Sequence, residues 1–147
     1  MNDLTKLVPH CIWANKNWIE FLKNETPDDL HLRELMSHIL LSEQVWFQRI
    51  SRRELNRKIW QIFSFEKLNG LHQKNQENYM DLLDDDLNKK LTFERFNGES
   101  GEAFVRDILL HLCTHGFHHR GQMSAHVSSI GLTPINTDFL MYRSKAK

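Results

Sequence analysis

Long apolar runs are missing from this chain of 147 residues. None approaches the ~20 residues that a membrane-spanning helix needs, so no membrane partner is expected. The opening MNDLTKLVPH carries neither a basic n-region nor an apolar h-region. A secretory leader is therefore not expected, and the cytoplasm is the expected location. Cysteine is scarce: Cys11 and Cys113 lie far apart and in no CxxC pattern. That excludes a disulfide scaffold and makes reduced thiols the default. Only three prolines occur, Pro9, Pro27 and Pro134. The long stretches between them are rich in Leu, Lys, Glu and Gln and favour helices. An excess of charge is lacking too, since Lys+Arg and Asp+Glu both count 19. Such a balance gives no field to draw in a polyanion, so nucleic acid is not an expected partner. The most basic stretch, Arg49, Arg52, Arg53, Arg57 and Lys58, reads as a solvated helix end with cations at the negative pole of the dipole. With no repeat and no low-complexity linker, residues 1–147 read as one domain with one core.

Helical spacing of apolar residues organises that domain. A first helix is expected over about residues 3–23, with Leu7, Ile12, Trp13, Ile19 and Phe21 at its apolar positions and Pro9 blurring its start. Thr26-Pro27-Asp28-Asp29 reads as the next helix start, with Thr26 as cap and Pro27 in the first turn. That second helix is expected to reach about Arg57 through Leu32, Leu35, Ile39, Val45, Trp46 and Ile50. Trp60, Ile62, Phe63 and Phe65 read as an apolar connection folded onto the helices. A third helix starts near Ser64 and runs to about Lys89. Leu91, Phe93 and Phe96 flank Asn97-Gly98-Glu99-Ser100-Gly101, which predicts a short hairpin or irregular excursion. A fourth helix follows from about Ala103 to Ile130, ended by Gly131 and Pro134. The tail through Asp138, Phe139 and Tyr142 packs across the helices and frays over Ser144–Lys147. The expected class is all-α, a four-helix bundle with that excursion before the last helix.

Histidine is what the sequence has in excess: nine in all, five of them between His111 and His126. Positions four apart on a helix differ by only about 40° and stack on one face. His111, His115 and His119 form such a ladder, Gln122 and His126 continue it, and His118 lies at its edge. An imidazole stripe on an apolar helix is costly unless its nitrogens find partners. Two histidines at this spacing can share one ion, as in HExxH helices, although the glutamate of that motif is absent here. A third ligand has to come from another helix. His38, inside Leu35-Met36-Ser37-His38-Ile39-Leu40-Leu41, is the candidate, with His31 in reserve. His10 and His72 read as surface or hydrogen-bonded histidines. Three neutral imidazoles leave a four-coordinate ion one open position. Zinc suits this donor set first, nickel next, then iron(II). Gln122, Glu34 and Glu43 are candidates to orient the imidazoles. Cys113 falls about 160° from His115 around the helix and points elsewhere.

These residues resemble the DinB superfamily of metal-dependent proteins. The clearest part is His111-xxx-His115-xx-His118-His119-Arg120-Gly121-Gln122. His38-Ile-Leu-Leu-Ser-Glu43-Gln-Val-Trp46 is similar to the family's second-helix motif, and Trp13-Ala14-Asn15 to its first. Gly131-Leu-Thr-Pro134-Ile-Asn-Thr-Asp138-Phe139 resembles its C-terminal pattern. The resemblance implies an up-down-down-up bundle, a homodimer, and a metal triad of His38, His115 and His119. It also implies a small-molecule substrate and, for some members, group transfer to or from a low-molecular-weight thiol cosubstrate. Two other functions compete. One is hydrolysis by a metal-activated water, with Glu34 or Glu43 as base. The other is a non-enzymatic, stress-linked metal-binding protein.

Overall fold

The computed structural model describes residues 3–145. Among them, five helices and one hairpin follow in order: α1 (Leu4–Asn24), α2 (Leu30–Ile50), α3 (Phe65–Leu83), β1 (Lys90–Glu94), β2 (Ser100–Phe104), α4 (Val105–Ser129) and α5 (Phe139–Lys145). The chain is thus mostly helical with a small antiparallel ribbon. The hairpin is the expected excursion, paired from Lys90 opposite Phe104 to Glu94 opposite Ser100. No helix is long and apolar enough to cross a membrane among the described residues.

Several ends differ from expectation, each for a local reason. Thr26 does not cap α2; its hydroxyl donates back to the Leu22 carbonyl at the end of α1. The cap is Asp29, whose carboxylate accepts from the Leu32 amide at 3.0 Å. Helix α2 stops at Ile50 rather than Arg57. Arg52 turns left-handed with φ 55°, and the amides of Arg52 and Arg53 close on the carbonyls of Arg49 and Gln48. That is a Schellman closure built without glycine. Gly131, with φ 85°, closes α4 in the same way onto Ser128. Helix α3 starts as expected, its first turn capped by Ser64. It ends at Leu83 instead of Lys89, because Asp84, Asp85 and Asp86 would crowd negative charge at the negative pole. Helix α5 extends through Ser144 and Lys145, so the expected fraying does not begin at Ser144; Ala146 and Lys147 lie outside the described residues.

Helices α1 and α2 each pack on both α3 and α4. The buried side chains fall into two apolar clusters. One holds Val8, Cys11, Phe47, Tyr79, Ile108 and Leu112. The other holds Trp18, Leu22, Met36, Leu68, Met123 and Val127. Four of the buried polar residues, one from each long helix, are Asn15, Glu43, Asn75 and Arg120. The tail crosses α1, where the aromatic rings of Phe139 and Tyr142 pack on His10.

Candidate metal centre

Helix α4 carries His115 and His119 one turn apart, facing α2. Helix α2 carries His38 toward them, its ring centroid 5.1 Å from that of His115 and 4.7 Å from that of His119. One ligand-capable nitrogen from each of the three lies within 4.8 Å of the other two. His38 and His119 are buried.

Which nitrogen faces the others is decided by what holds the far side of each ring. His38 Nδ1 lies 2.9 Å from the Ile59 carbonyl, which can only accept, so Nδ1 carries the proton and Nε2 keeps its lone pair. His119 Nδ1 lies 2.7 Å from Gln122 Oε1, with the same consequence. His119 Nε2 then meets His115 Nε2 at 3.1 Å. A tetrahedral ion with metal–nitrogen bonds of about 2.0–2.1 Å needs nitrogens about 3.3 Å apart. The donor set therefore fits a divalent cation, and the three histidines could hold one.

Electrostatics keep all three in the ligating form. Burial lowers the His115 pKa to about 3, and the neighbouring imidazoles of His119 and His38 add to it. Burial likewise holds His38 below its ordinary value, against the raising effect of the Ile59 carbonyl. His119 is lowered by burial too, with Gln122 pulling the other way. Neutral imidazoles are what a metal requires.

The connection from Ser51 to Ser64 supplies the groups that sequence reasoning missed. It is pinned along α2 by the Phe63 amide on Ser37 Oγ and by Arg33 on the Phe63 carbonyl. Pinning sets the Ile59 carbonyl against His38 and lays Trp60 over it, the two rings stacked at 3.6 Å. Trp60 remains 52% exposed and Ile62 44%, so this connection only partly folds onto the helices. A backbone carbonyl leaves no sequence signal.

Other candidates have different places. Gln122 orients His119, as expected of one of the three polar candidates. Glu43 does not approach the triad. It accepts from Asn15 (3.1 Å), Tyr79 (2.6 Å) and Asn75 (3.1 Å), deep between the apolar clusters. Burial pushes it up to about 7, against the lowering effect of the Tyr79 bond. Glu34 acts on His38 only as a nearby charge. His31, the reserve ligand, lies edge-on to His126 instead, and His126 donates to Asp29. His118 is exposed beside His119. His111 sits further along α4, its ring 5.8 Å from that of His115. His10 and His72 are buried rather than superficial. His10 donates to the Thr137 carbonyl, whereas His72 Nε2 has no hydrogen-bond partner among the described residues.

The family signature also has a buried half. Arg120 Nη1 donates to Asn15 Oδ1 at 2.7 Å, and Asn15 donates to Glu43. The residues resembling the first-helix, second-helix and last-helix motifs are thereby joined in one network behind the histidines.

The Bacillus subtilis (strain 168) protein named Protein DinB is 25% identical over an alignment of 164 residues, covering 97% of this chain and 95% of that protein. The family model described as "DinB family" matches residues 1–146. With that match running along nearly the whole chain, and three histidines gathered by its motifs, this chain belongs to the DinB family.

Proposed function

We propose that this protein is a metal-dependent S-transferase whose single divalent ion is held by His38, His115 and His119. Zinc is the first choice of ion, and nickel or iron(II) are the alternatives. The observation that carries the reading is the pair of acceptors, the Ile59 carbonyl and Gln122 Oε1. They leave the Nε2 lone pairs of His38 and His119 free, within the group of ligand atoms that these two form with His115. Such outer partners fix ligand tautomer and orientation in metal sites. Three protein ligands leave a fourth position for a small molecule. An ion bound there supplies a Lewis acid that favours the anionic form of a low-molecular-weight thiol near neutral pH. The chain's own part is to exclude water with Trp60 and to keep three imidazoles neutral.

Hydrolysis is the weaker reading. Glu43, one of its two candidate bases, is engaged by three donors away from the triad. The broader frame of the proposal is one domain, an up-down-down-up four-helix bundle, dimeric in solution and cytoplasmic.

Metal content by mass spectrometry on untagged protein tests the site. About one equivalent is expected in wild type, reflecting a single three-histidine site. It should be lost in His38→Ala, His115→Ala and His119→Ala and retained in His72→Ala. Equal losses in all four would refute the triad. Thiol consumption with a panel of electrophiles then separates transfer from hydrolysis. A loaded protein that turns over neither thiols nor esters would favour the stress-linked binding protein.

A further inference from the structure

Beside the histidines, between α2, the Ser51–Ser64 connection, the hairpin and α4, lies a cavity of about 370 Å³. Two of its lining residues adjoin the triad: Ile59, whose carbonyl holds His38, and His111, whose ring neighbours His115. Its walls are mainly apolar and aromatic, with Trp46, Phe93, Phe96 and Ile108. Cations border it as well. Arg49 and Arg95 line it, and Arg57 lies over Phe96 at 4.9 Å.

Among the described residues no carboxylate forms an ion pair with Arg49, Arg57 or Arg95. Asp107 lines the same cavity, but its carboxylate stands 3.9 Å from Arg106. Arg49 rests on Trp46 at 4.5 Å and donates one Nη to the Glu94 carbonyl. Its Nε is buried with no hydrogen-bond partner among the described residues. Burial, then the charges of Arg57 and Arg95, make its cationic form harder to hold. Like charges gathered on an aromatic wall are unfavourable until an anion joins them, and a guanidinium fork binds a carboxylate or sulfonate in a defined orientation.

We propose that this cavity receives the acceptor substrate of the transfer, an organic anion with an apolar, aromatic-sized body. Its acidic group meets Arg49 and Arg95, its body lies on Trp46 and Phe93, and its reactive end points past His111 toward the triad. Low-molecular-weight thiols are strongly polar and match these walls poorly, which assigns the cavity to the electrophile. The proposal rests on the metal-dependent transfer argued above, and its binding test is independent of that reading.

The test uses full-length protein and the fluorescent probe anilinonaphthalene sulfonate. Phenylbutyrate and phenylbutanol, which share a body and differ in charge, compete for the probe. Phenylbutyrate should displace it at a concentration at least about tenfold lower, the effect of one charged hydrogen bond. Arg95→Gln and Arg49→Gln should each shrink that gap, as should added salt. Equal displacement by acid and alcohol, or a gap unchanged in both variants, would overturn the proposal. Arg49 also braces the hairpin through Glu94, so Arg95→Gln, at an exposed position, decides alone if Arg49→Gln does not fold. His115→Ala should lose metal and keep the gap. If it keeps both, the triad fails while the anion cavity stands; if it loses the gap, the cavity assignment fails.

Discussion

The indole of Trp60 lies parallel to the His38 imidazole, with centroids 3.6 Å apart and planes 6° from parallel. It also meets His119 edge-on at 6.0 Å. A half-exposed tryptophan thus stiffens one ligand ring and roofs another. Removing it should leave the fold intact and loosen the ion. Trp60→Ala is expected to weaken metal binding about three- to tenfold, the scale of an aromatic stacking contribution. Competition with a chromophoric chelator measures it. An unchanged affinity and off-rate would reduce Trp60 to a surface side chain.

Gln122 is exposed, yet its Oε1 fixes the proton of His119 on Nδ1. Gln122→Ala frees the imidazole to take the wrong tautomer. A loss of about 10–100-fold in metal affinity is expected, as for other outer partners of metal ligands. Gln122→Glu, which still accepts, should retain or raise the affinity. If alanine and glutamate behave alike, orientation by this side chain is not what matters.

The gathering of His38, His115 and His119 was legible in part. Four-residue spacing put His111, His115 and His119 on one face and an apolar setting singled out His38, while the choice of His115 and His119 over His111 came from the resemblance to the DinB family. The hairpin and the end of α4 were legible from local signals, since glycines mark both. What escaped was non-local. The end of α2 at Ile50 depends on Arg52 adopting a left-handed φ, which residue type does not advertise. Glu43 looked like a site residue because its sequence neighbours belong to a metal motif. Its partners Asn15 and Tyr79 lie on other helices, and only packing shows that it faces away. The Ile59 carbonyl is invisible by nature, as any residue carries one.

His72 provides a pH test clear of the metal. Burial, with Lys16 adding to it, lowers its pKa from 6.5 to about 4. Below pH 6.5 the unfolded chain takes up a proton that the folded chain refuses until about pH 4. Folded stability therefore falls as pH drops through that window, by up to about 1.4 kcal/mol per pH unit from this group. It is unaffected by this group above the window. His72→Leu removes the difference. Urea unfolding should show the variant losing about 2 kcal/mol less than wild type between pH 7 and pH 5. Parallel losses in the two proteins would mean that folding does not lower the His72 pKa.

Gly116 sets two principles against each other. It lies inside α4, where helix propensity alone says that alanine should stabilise by about 1 kcal/mol. A Cβ built there, however, stands 2.7 Å from Arg120 Nη1, the atom that donates to Asn15. Arg120 is buried and cannot swing into water without leaving the Asn15–Glu43 network incomplete. Losing a charged hydrogen bond in the interior costs about 1.5–3 kcal/mol. The clash is expected to win, with Gly116→Ala destabilised by about 1 kcal/mol net. A double-mutant cycle with Asn15→Ala shows the cause. With no Asn15 to bond, Gly116→Ala should cost little or become stabilising, because only the propensity gain is left. If the cost of Gly116→Ala is the same in both backgrounds, the small residue serves helix packing at that point and not the arginine.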